Sequence, residues 1–554
     1  MTAQRIARRR KAAWAALGLL AINFIATASL DHGYNWDEWY HLEGTRQTVD
    51  QLQLHPRGHI YNGAYFLPGY VVLAAHLVDD LPAILGEMAK SPGVEFDLSR
   101  YPTLAEWRTD MLRLLSTERY KQEVRFVFVL MTVPALLWVF LTVLALFPHR
   151  YWEALGAAAL VGLSWEISRR SRCIEVDAPQ MQFVAFELFM IASAFSAKLR
   201  SRALWNVVGI GFAAGLIVAC KASGVYALIL GGAAVFAVPL FRGVRDRALL
   251  LTVLTLGFVV AVFLASPFTA VDPIRAVWQQ MATWADYQSI RDTHPFFVNA
   301  PWEHLGKVLL WLFLVVTAPR FYVAAVFALV CVLGMGVLAR YRPRFAIIAA
   351  LYPLATLSTM TALILLQIRN YTQFFPFLAI SFGAGLVYLG RRFADRPIAL
   401  RGLIAVIGAA FAFNAGWLAL ADQSVRTTTR DSILADVRAH VSGIDHDLRV
   451  SPRLHRALEA TFDEHFECTA RSRPGDDLRE PRVLMYYTDH HPFHWTAMSP
   501  GYVERTFAPM DANFDWYSLW KGRLEHHRVV LMSLANADEM GVPMHSFFDC
   551  KGGR

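Results

Sequence analysis

Charge is what this 554-residue chain has least of. Asp, Glu, Lys and Arg make up only 18% of it, while 55% is apolar. Ordinary soluble domains carry about 25% and 45–50% respectively, so a soluble enzyme of this length is excluded. Cysteine is scarce as well: Cys173, Cys220, Cys331, Cys468 and Cys550 form no CxxC pair, which removes a zinc ribbon and a dithiol redox motif. Cys220 and Cys331 fall in apolar runs, whereas Cys468 and Cys550 share the polar C-terminal region, and sequence alone leaves their pairing open. No GxGxxG or P-loop sequence, internal repeat, low-complexity tract or flexible Gly/Ser linker is present, so neither a nucleotide-binding loop nor a solenoid is indicated.

Long apolar runs are what the chain has instead. Measured against the roughly 20 mostly apolar residues that a membrane helix needs, eleven spans are expected, near 12–30, 124–147, 153–168, 180–197, 203–220, 224–241, 248–266, 320–339, 345–366, 371–390 and 398–420. Basic residues in short loops set the orientation. Arg5, Arg8, Arg9, Arg10 and Lys11 precede the first run. Alternate connections then carry Arg150; Lys198, Arg200 and Arg202; Arg242, Arg245 and Arg247; Arg340, Arg342 and Arg344; and Arg391, Arg392, Arg396 and Arg401. All six clusters agree on one side, which places the N-terminus in the cytoplasm and the C-terminus outside. The start of the chain imitates a signal peptide ending at Ala26-Thr27-Ala28, but an uncleaved first helix is expected because it anchors the following loop.

These clusters account for the formal net charge of +8. Against them stand only Glu153, Asp246 and Asp395, so the rest of the chain is net acidic. The basic total is topology, and nucleic acid is not a partner: nucleic-acid binding needs Lys and Arg gathered on a solvated face.

Two external loops, 31–123 and 267–319, are too long to be simple turns. Ala64–Leu77 is apolar but short, and reads as a segment on or dipping into the membrane. Leu104, Trp107, Met111, Leu114 and Leu115 recur at helical spacing among charged residues, the pattern of an interfacial helix. Trp278, Met281 and Trp284 suggest another, and Leu305–Ala318 a half-buried near-span ended by Pro319. The expected organisation is a transmembrane module over 1–420 followed by a small extracytoplasmic α/β domain over 421–554.

Functional information lies in charges that topology does not explain. Outside the first span runs Asp31 to His41, with Asp37 and Glu38 adjacent among Trp36, Trp39 and Tyr40. One reading is a wet loop with tryptophan anchors; the other is a carboxylate placed as a base or metal ligand. The external end of the third span carries Arg169, Arg170 and Arg172, against the positive-inside trend, with Glu175 and Asp177 beside them. Lys221 stands alone in a short turn, Lys-Ala-Ser-Gly, and Arg369 in Gln-Ile-Arg-Asn-Tyr. Permanent cations converging at one membrane face suit an anionic headgroup such as a phosphate. His55, Arg57, His59 and Glu175 could line a cleft. Asp489-His490-His491-Pro492-Phe493-His494 reads more simply as a polar loop than as a metal site.

In these residues the chain resembles the GT-C superfamily of integral-membrane glycosyltransferases, in the branch of protein O-mannosyltransferases and the aminoarabinose transferases of lipid A. The resemblance rests on the acidic pair Asp37-Glu38 after the first span, the run from Arg172 to Asp177, the turn Lys221 to Gly224, and Arg369-Asn370-Tyr371 leading to Pro376. It implies a polytopic α-helical GT-C fold and inverting transfer of a hexosyl or pentosyl group from a polyprenyl phosphate to a hydroxyl of a lipid, glycan or protein acceptor. By the same resemblance Asp37 is the base or an acceptor-orienting carboxylate, Glu38 its neighbour and Asp177 a second acid near the acceptor or a divalent metal, while Arg172, Lys221 and Arg369 hold the donor phosphate. A divalent ion, if one is used, falls to Asp37 and Asp177. The Lys-Pro pair of aminoarabinose transferases is missing from the first loop, which reads Tyr65-Phe66-Leu67-Pro68-Gly69-Tyr70, so donor sugar and acceptor stay open. With its Ala- and Arg-rich composition the chain is expected in a bacterial inner membrane, its site in the periplasm. The rival is a flippase of lipid-linked sugars, which would place ionisable residues within the spans.

Overall fold

A computed structural model describes residues 3–28, 36–52, 63–90, 98–115, 117–266, 300–314, 316–363, 368–427, 448–450, 482–487 and 528–533, with 278 and 282 singly. The described part is a helical bundle plus one small sheet. Its helices are α1 (Ala3–Ala26), α2 (Trp36–Gln51), α3 (Leu67–Leu77), α4 (Leu81–Lys90), α5 (Pro102–Leu114), α6 (Glu118–Thr132), α7 (Pro134–Leu146), α8 (Tyr151–Gly162), α9 (Trp165–Arg172), α10 (Asp177–Ser196), α11 (Arg200–Cys220), α12 (Tyr226–Ala237), α13 (Val244–Ala265), α14 (Pro301–Leu314), α15 (Phe321–Tyr341), α16 (Pro343–Ala362), α17 (Phe375–Arg392) and α18 (Pro397–Thr427).

Eight helices among the described residues are long and apolar enough to cross a membrane, α6 and α7 counting as one span bent at Pro134. The expectation of eleven is therefore not met in full, and sequence punctuation explains two of the three differences. The run 153–168 is interrupted at Ser164, whose hydroxyl caps α9 by accepting from the Ile167 amide (3.3 Å) and donates to the Val316 carbonyl (2.7 Å). α8 alone has 12 residues. α12 also has 12 and stops where Val238, restricted by Pro239, turns extended. At 1.5 Å per residue a 12-residue helix spans about 18 Å, short of a ~30 Å hydrocarbon layer. The third, α1, is a continuous 24-residue helix packed on α8 and α7 through Ala13, Leu17 and Phe24.

Close backbone approach holds the spans together. On α11, Gly211 and Gly215 face α13: a Cβ on the first would strike the Leu254 carbonyl, and on the second the Phe258 carbonyl. Gly334 of α15 and Gly385 of α17 meet in the same manner, across the Ser381 and Val330 carbonyls. Small residues spaced by four let apolar helices gain dispersion contacts where lipid offers no hydrophobic driving force.

A second apolar cluster caps one end of the bundle. Val49, Tyr65, Phe66, Trp107 and Met111 from the first long loop pack with Ile174, Val176, Ala219, Cys220 and Ala265. α5 thus buries Trp107 and Met111, the face the amphipathic spacing predicts. The loop is pinned by the Gly63 amide donating to Ser266 Oγ (3.1 Å) and by His41 of α2, whose Nδ1–H donates to the Tyr65 carbonyl (3.0 Å).

Beyond α18 the described residues form a sheet of β1 (Leu448–Val450), β2 (Arg482–Tyr487) and β3 (Arg528–Ser533), β1 parallel and β2–β3 antiparallel. The rest of 421–554 past Thr427, including Cys468, Cys550 and the His-rich run, lies outside the described residues, as does the helix expected around Met281.

Candidate active site

Three of the loops singled out in the sequence meet at the capped end of the bundle. Asp177 opens α10, Lys221 follows the last residue of α11, and Asn370 belongs to the 3-10 turn Ile368–Phe374 that leads into α17. Because α10 and α11 run antiparallel, the start of one and the end of the other are neighbours. The Lys221 ammonium bonds Asp177 Oδ1 at 3.2 Å and Asn370 Oδ1 at 2.6 Å. Asp177 is almost fully buried while the Lys221 side chain stays 20% exposed. An ammonium carries three N–H donors. Two are spent on these partners and hold the nitrogen in place, so the third is aimed by its neighbours and has no partner among the described residues.

Beside this group lies a different one. Arg170 of α9 is fully buried and bonds Glu166 through Nε (2.7 Å) and Glu175 through Nη1 (3.2 Å). Burial by itself would ease the proton off the guanidinium, but Glu166, Glu175 and Asp177 hold its pKa above the usual arginine value. Glu175, a candidate for a cleft, is thus committed to Arg170. Glu166 also stands in the first turn of α9, where a negative charge complements the helix dipole. Arg172, two residues on, donates from Nη2 to Ser168 Oγ at 2.9 Å and is itself largely buried.

The remaining candidates are placed by backbone alone or not at all. Asp37 and Glu38 fall in the first turn of α2, one turn before His41, in the layer that caps the bundle end; their side chains are not described. Arg369 lies in the Ile368–Phe374 turn next to Asn370, its side chain likewise not described. His55, Arg57 and His59 lie outside the described residues. Among the described residues no group of three His, Cys, Asp or Glu is placed to hold a metal ion, and Asp177 Oδ1 already accepts from the Lys221 ammonium.

Sequence reasoning passed over three residues. Glu166 was absorbed into an expected span, although its i,i+4 spacing to Arg170 is the signal of a helical ion pair. Asn370 was quoted as part of a motif without a role, because its partner lies 149 positions away. Glu187, in the middle of α10, is fully buried with both carboxyl oxygens lacking a hydrogen-bond partner among the described residues; an acid within an apolar run is itself the signal.

No family model matches the chain, and no curated protein matches it. Among solved structures it is similar to the oligosaccharyltransferase of Archaeoglobus fulgidus in complex with Zn and sulfate, at 15% identity and a TM-score of 0.45 over 74% of this chain and 54% of that one. The same archaeal enzyme, AglB, with an inhibitory peptide and a dolichol-phosphate aligns at 14% identity, TM-score 0.45, covering 75% and 58%. ArnT from Cupriavidus metallidurans bound to undecaprenyl phosphate aligns at 14% identity, TM-score 0.44, covering 75% and 71%. The chain spans little more than half the length of the archaeal protein.

Proposed function

We propose that this chain is a membrane glycosyltransferase that moves one sugar from a polyprenyl-phosphate donor to a hydroxyl of a lipid, glycan or protein acceptor at the membrane end bearing Lys221. The observation that carries the reading is the Lys221 ammonium, fixed by Asp177 and Asn370 with one donor left over. In the reaction the acceptor oxygen attacks the anomeric carbon from the face opposite the phosphate, so configuration inverts. Asp37 takes the acceptor's proton, with Glu38 as its neighbour, and the bond from the anomeric carbon to the phosphate oxygen breaks. Negative charge then grows on the leaving phosphate, where Lys221, Arg369 and Arg172 stabilise it. Asp177 is the second acid of the site and keeps Lys221 aimed. Among the described residues no three His, Cys, Asp or Glu gather to hold a divalent ion, and no step is assigned to one.

The apolar spans make the chain a multi-pass membrane protein; its setting in a bacterial inner membrane, with the site and the 421–554 domain on the periplasmic side, is part of the proposal and follows from the basic clusters. A flippase of lipid-linked sugars is not favoured. It would line a path across the bilayer with ionisable groups, whereas the described charged residues within a span and away from its ends reduce to Arg125 and Glu187.

The test is transfer in membranes supplied with lipid-linked sugar. Asp37→Asn and Asp177→Asn, inserted and melting like the parent, are expected to lose transfer, by about 10²- to 10⁴-fold for the base. Full transfer by both variants overturns the assignment. Mass spectrometry of envelope lipids and glycans, with and without the protein, identifies sugar and acceptor together.

A further inference from the structure

The turn that presents Asn370 to Lys221 is held from behind by a buried histidine. His304, on α14, is fully buried. Its Nε2 lies 2.7 Å from the Tyr371 hydroxyl and its Nδ1 2.9 Å from Thr361 Oγ1, in the last turn of α16. The Tyr371 ring also meets the His304 ring edge-on at 5.8 Å and Phe374 at 5.5 Å. From the other side the Gln373 side-chain amide donates to the Asn370 carbonyl at 2.7 Å. Asn370, Tyr371, Thr372 and Gln373 are all buried.

We infer that His304 is a positioning residue, which through Tyr371 fixes the Asn370 carboxamide against Lys221 and so sets the direction of the ammonium's remaining donor. The inference rests on the reading of Lys221 as a phosphate ligand. The chain of contacts runs from Thr361 to His304, to Tyr371, through one peptide to Asn370, and on to Lys221 and Asp177. Each side-chain link is a hydrogen bond of 2.6–3.2 Å. It ties α14, α16, α17, α11 and α10 into one frame. A 3-10 turn has poor internal hydrogen-bond geometry, so this one takes its rigidity from outside. Histidine suits the task because its two ring nitrogens point about opposite ways and can serve two hydroxyls at once, one as donor and one as acceptor.

Two substitutions separate this role from mere filling of space. His304→Gln keeps a polar atom near the position of Nε2 and so retains the reach to Tyr371; His304→Asn keeps one near Nδ1 and loses it. Tyr371→Phe removes the hydroxyl and keeps the ring. The readout is equilibrium binding of undecaprenyl phosphate to the full chain in detergent, together with KM and kcat for the lipid-linked sugar. His304→Asn and Tyr371→Phe are expected to weaken binding about 3- to 10-fold, the range of one neutral hydrogen bond, and to raise KM more than they lower kcat. Their double variant is expected to be no worse than either alone, and His304→Gln to bind like the parent. Equal loss in His304→Asn and His304→Gln, or parental binding by both His304→Asn and Tyr371→Phe, overturns the inference. Lys221→Ala run in parallel keeps the two levels apart. If it binds the probe normally, the reading of the site fails; if it loses the probe while Tyr371→Phe and His304→Asn do not, only the positioning role fails.

Discussion

Two charged groups lie within a few residues of each other at the same end of the bundle, and they differ in one respect. Around Arg170 everything is closed: guanidinium and both carboxylates are buried, the Arg170 and Glu166 side chains 0% exposed. Around Lys221 the arrangement is less closed, with a buried acid, a buried amide and a lysine side chain that is 20% exposed. The closed group binds the turn Cys173–Val176 to α9 and offers nothing to a ligand. The open one spends part of its hydrogen-bonding capacity on the protein and keeps part of it. Buried salt bridges are weak evidence for net stability, but removing one partner is costly because the other is left charged and unpaired.

The comparison is broken most forcefully at Arg170. Arg170→Met leaves Glu166 and Glu175 buried without a cation, a cost of about 3–5 kcal/mol; the expected outcome is little folded protein in the membrane fraction, read by detergent-solubilised yield and melting. Lys221→Met exposes the contrast. It leaves the buried Asp177 without its bonded cation, so a loss of stability is expected, smaller than in Arg170→Met because Arg170 still interacts with Asp177, while polyprenyl-phosphate affinity falls about 10- to 100-fold, as for a charge-assisted hydrogen bond worth about 1.5–3 kcal/mol. Asn370→Ala sharpens the picture with a smaller effect: the ammonium keeps Asp177 but loses one of its two guides, and donor KM is expected to rise about 2- to 10-fold. A result in which Arg170→Met melts like the parent and loses only donor affinity would exchange the roles of the two groups.

Much of this was legible in the sequence. The long apolar runs and the alternating arginine clusters depend only on composition over some 20 residues, and the helices built on them sort their connections to two ends. Asp177 and Lys221 stood out because charges in short turns between spans have few structural explanations. What failed to read was local punctuation and distant pairing. Ser164 breaks a run that hydropathy counts as continuous, and Pro239 ends α12 early, so eight of the eleven expected spans are matched by helices of spanning length among the described residues. Glu166 lies at the end of the run that Ser164 breaks, where the hydropathy pattern masks its i,i+4 spacing to Arg170. Asn370 and His304 needed the fold itself, because a hydrogen bond between residues 149 positions apart leaves no spacing to detect. The roles of Asp37, Glu38 and Arg369 stay proposals that variants must test.

The most direct measurement is the affinity of the full chain for undecaprenyl phosphate, by native mass spectrometry or by ligand-dependent melting, in the parent and in Lys221→Met. A loss of about 10- to 100-fold in protein that stays folded in the absence of lipid is the predicted result. Equal affinity in the two proteins would contradict the assignment of Lys221 to the donor phosphate.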